Sequence, residues 1–199
     1  MIDFKCFPLL TDNQDSLKNT SYDKENKEYM TDMNLPVINF DKATTSYQSI
    51  YKLPARPCSN DALYITKKGL IVFIEFKNGK LDKTKAFELQ YKIYDSLLTL
   101  AYITGETKSI PKNQLVYVLV YNDEKNSENS SSTQNSYDKK TEVQSSPAKD
   151  RIGTILASKA KTQFIKFGLE KIGNLYFRDI FTWTQKEFER EFKEKILYV

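Results

Sequence analysis

Asp61, Glu75 and Lys77 are the residues of this chain whose types and spacing are suited to chemistry. Asp61 precedes an apolar run, Ala62-Leu63-Tyr64-Ile65, which Thr66-Lys67-Lys68-Gly69 interrupts; Leu70 to Phe76 is apolar except for Glu75, and Lys77 closes it. Two apolar runs around a Lys-Lys-Gly turn predict a β-hairpin, with Gly69 in the left-handed position that a three-residue loop requires. With Lys68 at the loop centre, Asp61 falls opposite Glu75 to within one residue, and cross-strand Cβ atoms are roughly 4.5–5.5 Å apart. Strand alternation puts Glu75 and Lys77 on one face and Phe76 on the other. Two carboxylates and a lysine thus converge at the open end of an apolar hairpin. Burying them is costly without a counter-ion, and Lys77 alone cannot neutralise both acids. A hard divalent cation with oxygen ligands completes the set, and such a set can hydrolyse a phosphodiester.

The flanking sequence supplies the elements that would position these groups. Residues Thr11 to Asp32 are rich in Asp, Asn, Lys and Ser and read as loop or a poorly packed helix. Pro36 to Phe40 suits a short strand, Asp41 to Tyr51 a turn of helix, and Leu53 to Pro57 an extended approach, because its two prolines bar regular helix. After Asn78-Gly79, Asp82 caps a helix whose expected apolar stripe is Ala86, Phe87, Leu89, Ile93, Tyr94, Leu97, Leu98 and Ala101, ending at Gly105. Gln114 to Tyr121 lacks alternation and is rich in β-branched and aromatic residues, as a strand buried on both faces is. From Asn122 to about Asp150 the composition falls to Ser, Asn, Lys, Glu, Gln and Thr, which predicts a disordered insertion. A helix to Gly168, a strand over Asn174–Trp183 and a last helix follow, the last opened by the capping box Thr184 to Glu187 with Phe188 and Phe192 facing inward. A strand–helix–strand crossover into residues 114–121 implies a parallel pair, hence a mixed α/β sheet that starts with a hairpin and is flanked by helices.

Composition bounds the chemistry further. The 199 residues, 40% hydrophobic and 13% aromatic, suffice for a single domain over 1–199 with a proper core. A net charge of +4 is compatible with nucleic acid without arguing for it. The chain has no histidine, which removes Ser-His-Asp triads, His general bases and zincin sites. Cys6 and Cys58 match no zinc spacing and read as two thiols in a reducing cytosol, with one disulfide left open. No signal peptide or membrane span is evident, so a cytoplasmic location without membrane partners is expected.

Asn60-Asp61, Glu75-Phe76-Lys77 and the following helix with Gln90-Tyr91-Lys92-Ile93-Tyr94 resemble the PD-(D/E)XK nuclease superfamily, whose fold is restriction-endonuclease-like. The resemblance covers residues 58–121, and Gln90 with Tyr94 is similar to the Gln-x-x-x-Tyr motif of the RecB-like and Cas4-like branches. Two departures stand out: Asn precedes Asp61 in place of Pro, and the upstream His ligand of those branches is absent. Other branches use an upstream Glu, for which Glu25 and Glu28 are candidates.

The resemblance implies a metal-dependent deoxyribonuclease, an endonuclease in the first instance. Asp61, Glu75 and the Phe76 carbonyl would bind Mg²⁺ or Mn²⁺, Lys77 would assist the attacking water, and Gln90, supported by Tyr94, would position water or phosphate. Lys80, Lys83 and Lys85 at the helix entry would hold the DNA backbone. Many nucleases of this fold are homodimers, although the sequence shows no interface signature. Two readings compete with this one. One is a non-catalytic nucleic-acid- or protein-binding module that keeps the fold; the other is an unrelated protein in which the charged cluster is a structural ion-pair network.

Overall fold

A computed structural model of the chain describes residues 3–105, 110–126 and 167–198. Its centre is a six-stranded sheet in the order β1 (Gln14–Ser16), β4 (Pro36–Asn39), β5 (Ala62–Ile65), β6 (Ile71–Lys77), β7 (Leu115–Tyr121), β8 (Asp179–Thr184). The β1/β4, β4/β5 and β5/β6 pairs are antiparallel, and β6/β7 and β7/β8 are parallel. The protein is therefore α/β with a mixed sheet. The β5–β6 hairpin pairs Ala62 with Ile74 through Ile65 with Ile71, the register that a loop centred on Lys68 dictates. Gly69 takes φ 81° and donates its N–H to the Thr66 carbonyl, closing the turn.

Helices cover both faces. On one face α3 (Phe40–Tyr51), α4 (Lys83–Thr104) and α6 (Glu170–Tyr176) bury Phe40, Ala43, Leu89, Ile93, Leu100 and Ile172 against Leu63, Phe73, Tyr117 and Leu119. On the other, α7 (Gln185–Phe192) packs Phe188 and Phe192 onto Phe76, Val118 and Trp183. The Thr184–Glu187 capping box opens α7 as expected, and all seven residues of β7 are buried, as an unalternating apolar run in a central strand requires. Asp82 caps α4 by accepting the Lys85 N–H, and Gly105 ends it at φ 69°. Among the described residues no helix is long and apolar enough to cross a membrane. Cys6 and Cys58 are both exposed thiols.

Three expectations need correction. Thr11–Asp32 is not loose: Thr11 ends the short helix α1 (Pro8–Thr11), and the stretch forms β1, the short helix α2 (Leu17–Thr20) and a small hairpin of β2 (Tyr22–Asp23) and β3 (Glu28–Tyr29), burying Leu17 and Met30. Elements this short carry no periodicity; they are held by local caps, such as Ser16 Oγ accepting the Asn19 N–H, and by Leu17 and Lys18 donating to the Leu35 and Met33 carbonyls. Residues Asn174 to Tyr176 are helical rather than strand, because the β8 ladder with β7 begins only at Asp179 opposite Val116. In α4, Phe87, Tyr94 and Leu98 are exposed, and Leu89, Ile93, Ser96, Leu100 and Ile103 form the buried face. Most of the 122–150 insertion, and the helix expected to run to Gly168, lie outside the described residues; Asp123–Asn126 forms a single helical turn, α5.

Candidate functional site

The hairpin register sets the site. Asp61 lies one residue before β5, and extending the Ala62–Ile74 pairing places it across from Glu75. Its Oδ2 accepts the Phe76 N–H at 2.7 Å, so the hairpin backbone itself fixes the carboxylate. Glu75 is wholly buried; its Oε1 is 2.9 Å from Lys77 Nζ, as same-face neighbours on a strand should be. Phe76, pointing the other way, stacks edge-on against Phe188.

A second lysine completes the cluster. Lys92 Nζ lies 2.7 Å from Glu75 Oε1 and 3.6 Å from Asp61 Oδ1, bridging the two acids from α4. Gln90 and Tyr94 are two residues to either side of Lys92, a rotation of roughly 200° that carries them to the opposite flank of the helix. The structure does not bring them to the carboxylates: Gln90 is half-buried, and Tyr94 is partly exposed with its ring edge-on to Tyr176. Lys92 was legible in one respect, since it shares a helical face with Leu89, Ile93, Ser96 and Leu100, where a solvated lysine has no place.

The segment leading to Asp61 is pinned from two helices. The Cys58 N–H donates to Asp95 Oδ2 and the Asn60 N–H to Ser96 Oγ, both on α4, while Ser59 Oγ donates to Asp41 Oδ1 on α3. The Asp61 carbonyl accepts the Phe40 N–H at the start of α3. Asp41 thereby enters the site from upstream, a position that the sequence reading offered to Glu25 or Glu28. Glu25 instead lies on the cleft wall, and Glu28 accepts from Asn78 Nδ2.

Electrostatics mark the cluster as under strain. Burial, then the neighbouring Glu75 charge, pushes the Asp61 carboxyl up to about 7 despite Lys92 and the Phe76 N–H, with Asp41 adding to the rise. For Lys92, burial disfavours the charge, but Glu75 and Asp61 outweigh it and raise its pKa. Glu75 Oε2 is buried with no hydrogen-bond partner, and so is the hydroxyl of Tyr117, whose ring lies on β7 on the same sheet face. Burial, reinforced by Glu75 and Asp61, raises that phenol well above 10.

The cluster opens onto a polar cleft of about 540 Å³ whose walls include Asp41, Asp61, Phe76, Lys77 and Lys92. Lys24, Lys80 and Lys85 lie along the same cleft; Lys83 sits on the exposed first turn of α4, outside the lining. The far wall is the β2–β3 hairpin, which Asn78 ties down by donating to Asp23 and Glu28 while accepting from Asn122 Nδ2 at 2.7 Å.

The donor set suits a hard cation. Asp61 and Glu75 offer carboxylate oxygens, and an orphaned buried oxygen beside a raised carboxyl is what a divalent cation would relieve. Among the described residues no group of three or more His, Cys, Asp or Glu side chains is placed to hold a metal ion, so any such ion would rest on two carboxylates and further oxygens. No family model, no curated protein and no solved structure matches this chain.

Proposed function

We propose that the cleft is the active site of a metal-dependent nuclease with a restriction-endonuclease-like core, acting on DNA. The observation that carries this reading is the meeting of Asp61 and Glu75 at 2.7–3.6 Å from a shared lysine, with one Glu75 oxygen unpartnered and Asp61 lining an open cleft edged by lysines, beneath which Glu75 is buried.

Asp61, Glu75 and the Phe76 carbonyl would hold Mg²⁺ or Mn²⁺. When bound, the ion lowers the pKa of a coordinated water and offsets the charge that grows on the phosphate. The remaining work falls to the chain. The Phe76 N–H and the segment pinned by Ser96 keep Asp61 from turning away, which preserves the facing of the two acids. Lys77, partly exposed at the cleft, orients the attacking water and stabilises developing negative charge. Lys92 keeps the acids from repelling each other while the site is free of cation. Lys80 and Lys85 hold the phosphate backbone along the cleft.

A second reading has its own observation. Lys77 and Lys92 both bond Glu75 Oε1, so two cations already balance two carboxylates, as in a binding module that keeps the fold without catalysis. Calorimetric titration with Mn²⁺ separates the two. The nuclease reading expects uptake by the wild type that Asp61→Asn and Glu75→Gln abolish. No uptake by the wild type, with DNA binding that survives Glu75→Gln, would establish the binding module instead.

A further inference from the structure

We propose that α4 carries a self-complementary seam through which two copies of this chain pair antiparallel about a two-fold axis. The face of α4 turned away from the sheet is apolar rather than polar: Phe87 is 63% exposed, Tyr91 65%, Leu98 59% and Tyr102 65%, with Tyr94 between them. At 100° per residue these five positions fall within a stripe roughly 80° wide, opposite the buried face of Leu89, Ile93 and Leu100. Helices of ordinary domains leave charge on that side. A stripe of four aromatic rings and a leucine left in water marks an interaction surface.

The spacing suits a second copy of the chain. Phe87 and Tyr102 lie equally far from the midpoint between Tyr94 and Asp95, and so do Tyr91 and Leu98. Reversing the helix therefore maps these four positions onto one another and Tyr94 onto Asp95. In an antiparallel pair Phe87 faces the partner's Tyr102, Tyr91 faces the partner's Leu98, and the two Tyr94 rings meet beside the axis. This is the isologous arrangement that closes a homodimer. The amount of surface agrees. With roughly 150–250 Å² per aromatic side chain, the exposed parts of the stripe and of Tyr176, whose ring lies 5.6 Å from that of Tyr94, amount to roughly 600 Å² per copy. Stable specific interfaces use about 800 Å² per partner, and the flanking polar residues of the helix supply the difference.

Pairing leaves the cleft open, since Lys85 and Lys92, the α4 residues of its lining, lie off the stripe. It sets the two copies of Lys85 roughly 30 Å apart along the helix axes. The inference does not depend on what the cleft does.

Sedimentation velocity on the full chain from about 1 to about 100 µM tests it, with circular dichroism as a check on folding. The wild type is expected to be a dimer. Tyr91→Lys and Leu98→Glu, both at exposed positions, should each weaken association by roughly a hundredfold, because each puts an unpaired charge into the seam twice. Joined in one chain, the two substitutions face each other across the axis as opposite charges and should restore the dimer. A wild type that stays monomeric over this range overturns the proposal. So does a dimer that both single variants leave intact, or a double variant no tighter than the singles.

Discussion

Glu75 is the residue on which the cluster turns, because it is wholly buried and answers to two lysines. Replacing Lys92 by Met leaves Glu75 with Lys77 alone, and breaking a buried pair in this way should cost about 3 kcal/mol, read from urea midpoints of the metal-free protein. Tyr117→Phe removes a buried hydroxyl that has no partner, so it should leave stability unchanged or raise it by about 1 kcal/mol; a loss of that size would mean the hydroxyl is bonded. Two carboxyls with large shifts dominate the pH dependence, and Asp23 and Glu191, both held low by their hydrogen-bond partners, act in the same sense as Asp15. Folded Asp61 keeps its proton to about pH 7, whereas the unfolded chain loses it near 3.8, so in that window the folded state binds more protons and stability falls as pH rises. Asp15 behaves oppositely: burial opposes its charge, but Lys42, Asn19, Asn39 and the Ser16 N–H hold it well below 3.8, and the stability it lends is lost as pH falls below that value. Metal-free protein in EDTA should therefore show its highest melting temperature at about pH 4–5, and Glu75→Gln should flatten the decline from there to about pH 7. A melting temperature that climbs steadily from pH 4 to pH 8 would contradict the Asp61 environment described above. At this scale the sequence was informative where geometry is rigid. Turn length sets hairpin register, so Asp61, Glu75 and Lys77 could be paired by counting. The Gln-x-x-x-Tyr spacing says that Gln90 and Tyr94 share a flank, but not which flank meets the sheet, and Lys92 holds the flank that does.

Among the elements, the short β2–β3 hairpin that walls the cleft can be tested by itself. Asn78 is buried and fastens it to the end of β6 through Asp23 and Glu28. Asn78→Ala strands both acids and Asn122, and should cost about 1–3 kcal/mol. Hydrogen exchange should accelerate over Tyr22–Tyr29 while β6 and β7 stay protected; a uniform increase would show that the hairpin unfolds only with the core. This hairpin could not be foreseen, because two-residue strands have no period to detect. The misjudged stretch at Asn174–Tyr176 has another cause. Its residues suit a strand, but they continue the helix α6, in which Gly173 packs so close to Ile180 that an added Cβ would meet the isoleucine Cδ1 at 3.0 Å. β6, β7 and α7 were readable because burial and propensity agree in each of them, whereas in α4 the two ends were readable from Asp82 and Gly105 but the buried face was not.

For the whole molecule, a mixed sheet with a crossover helix brings Asp61 just before β5, Glu75 and Lys77 of β6 and Lys92 of α4 into one cluster beside an open cleft, and the proposed chemistry depends on that convergence. The basic rim should bind DNA through its phosphates, so Lys80→Ala with Lys85→Ala is expected to weaken DNA affinity several-fold and to reduce its salt slope by about 2. An unchanged slope would place the DNA elsewhere on the surface. The measurement that bears most directly on the account is cleavage of supercoiled plasmid by the wild type and by Glu75→Gln, in Mg²⁺, Mn²⁺ and EDTA. Metal-dependent nicking or linearisation by the wild type, reduced at least ~100-fold in Glu75→Gln and absent in EDTA, is the predicted result. Cleavage that persists in EDTA or in Glu75→Gln, or no cleavage by the wild type with either ion, would contradict it.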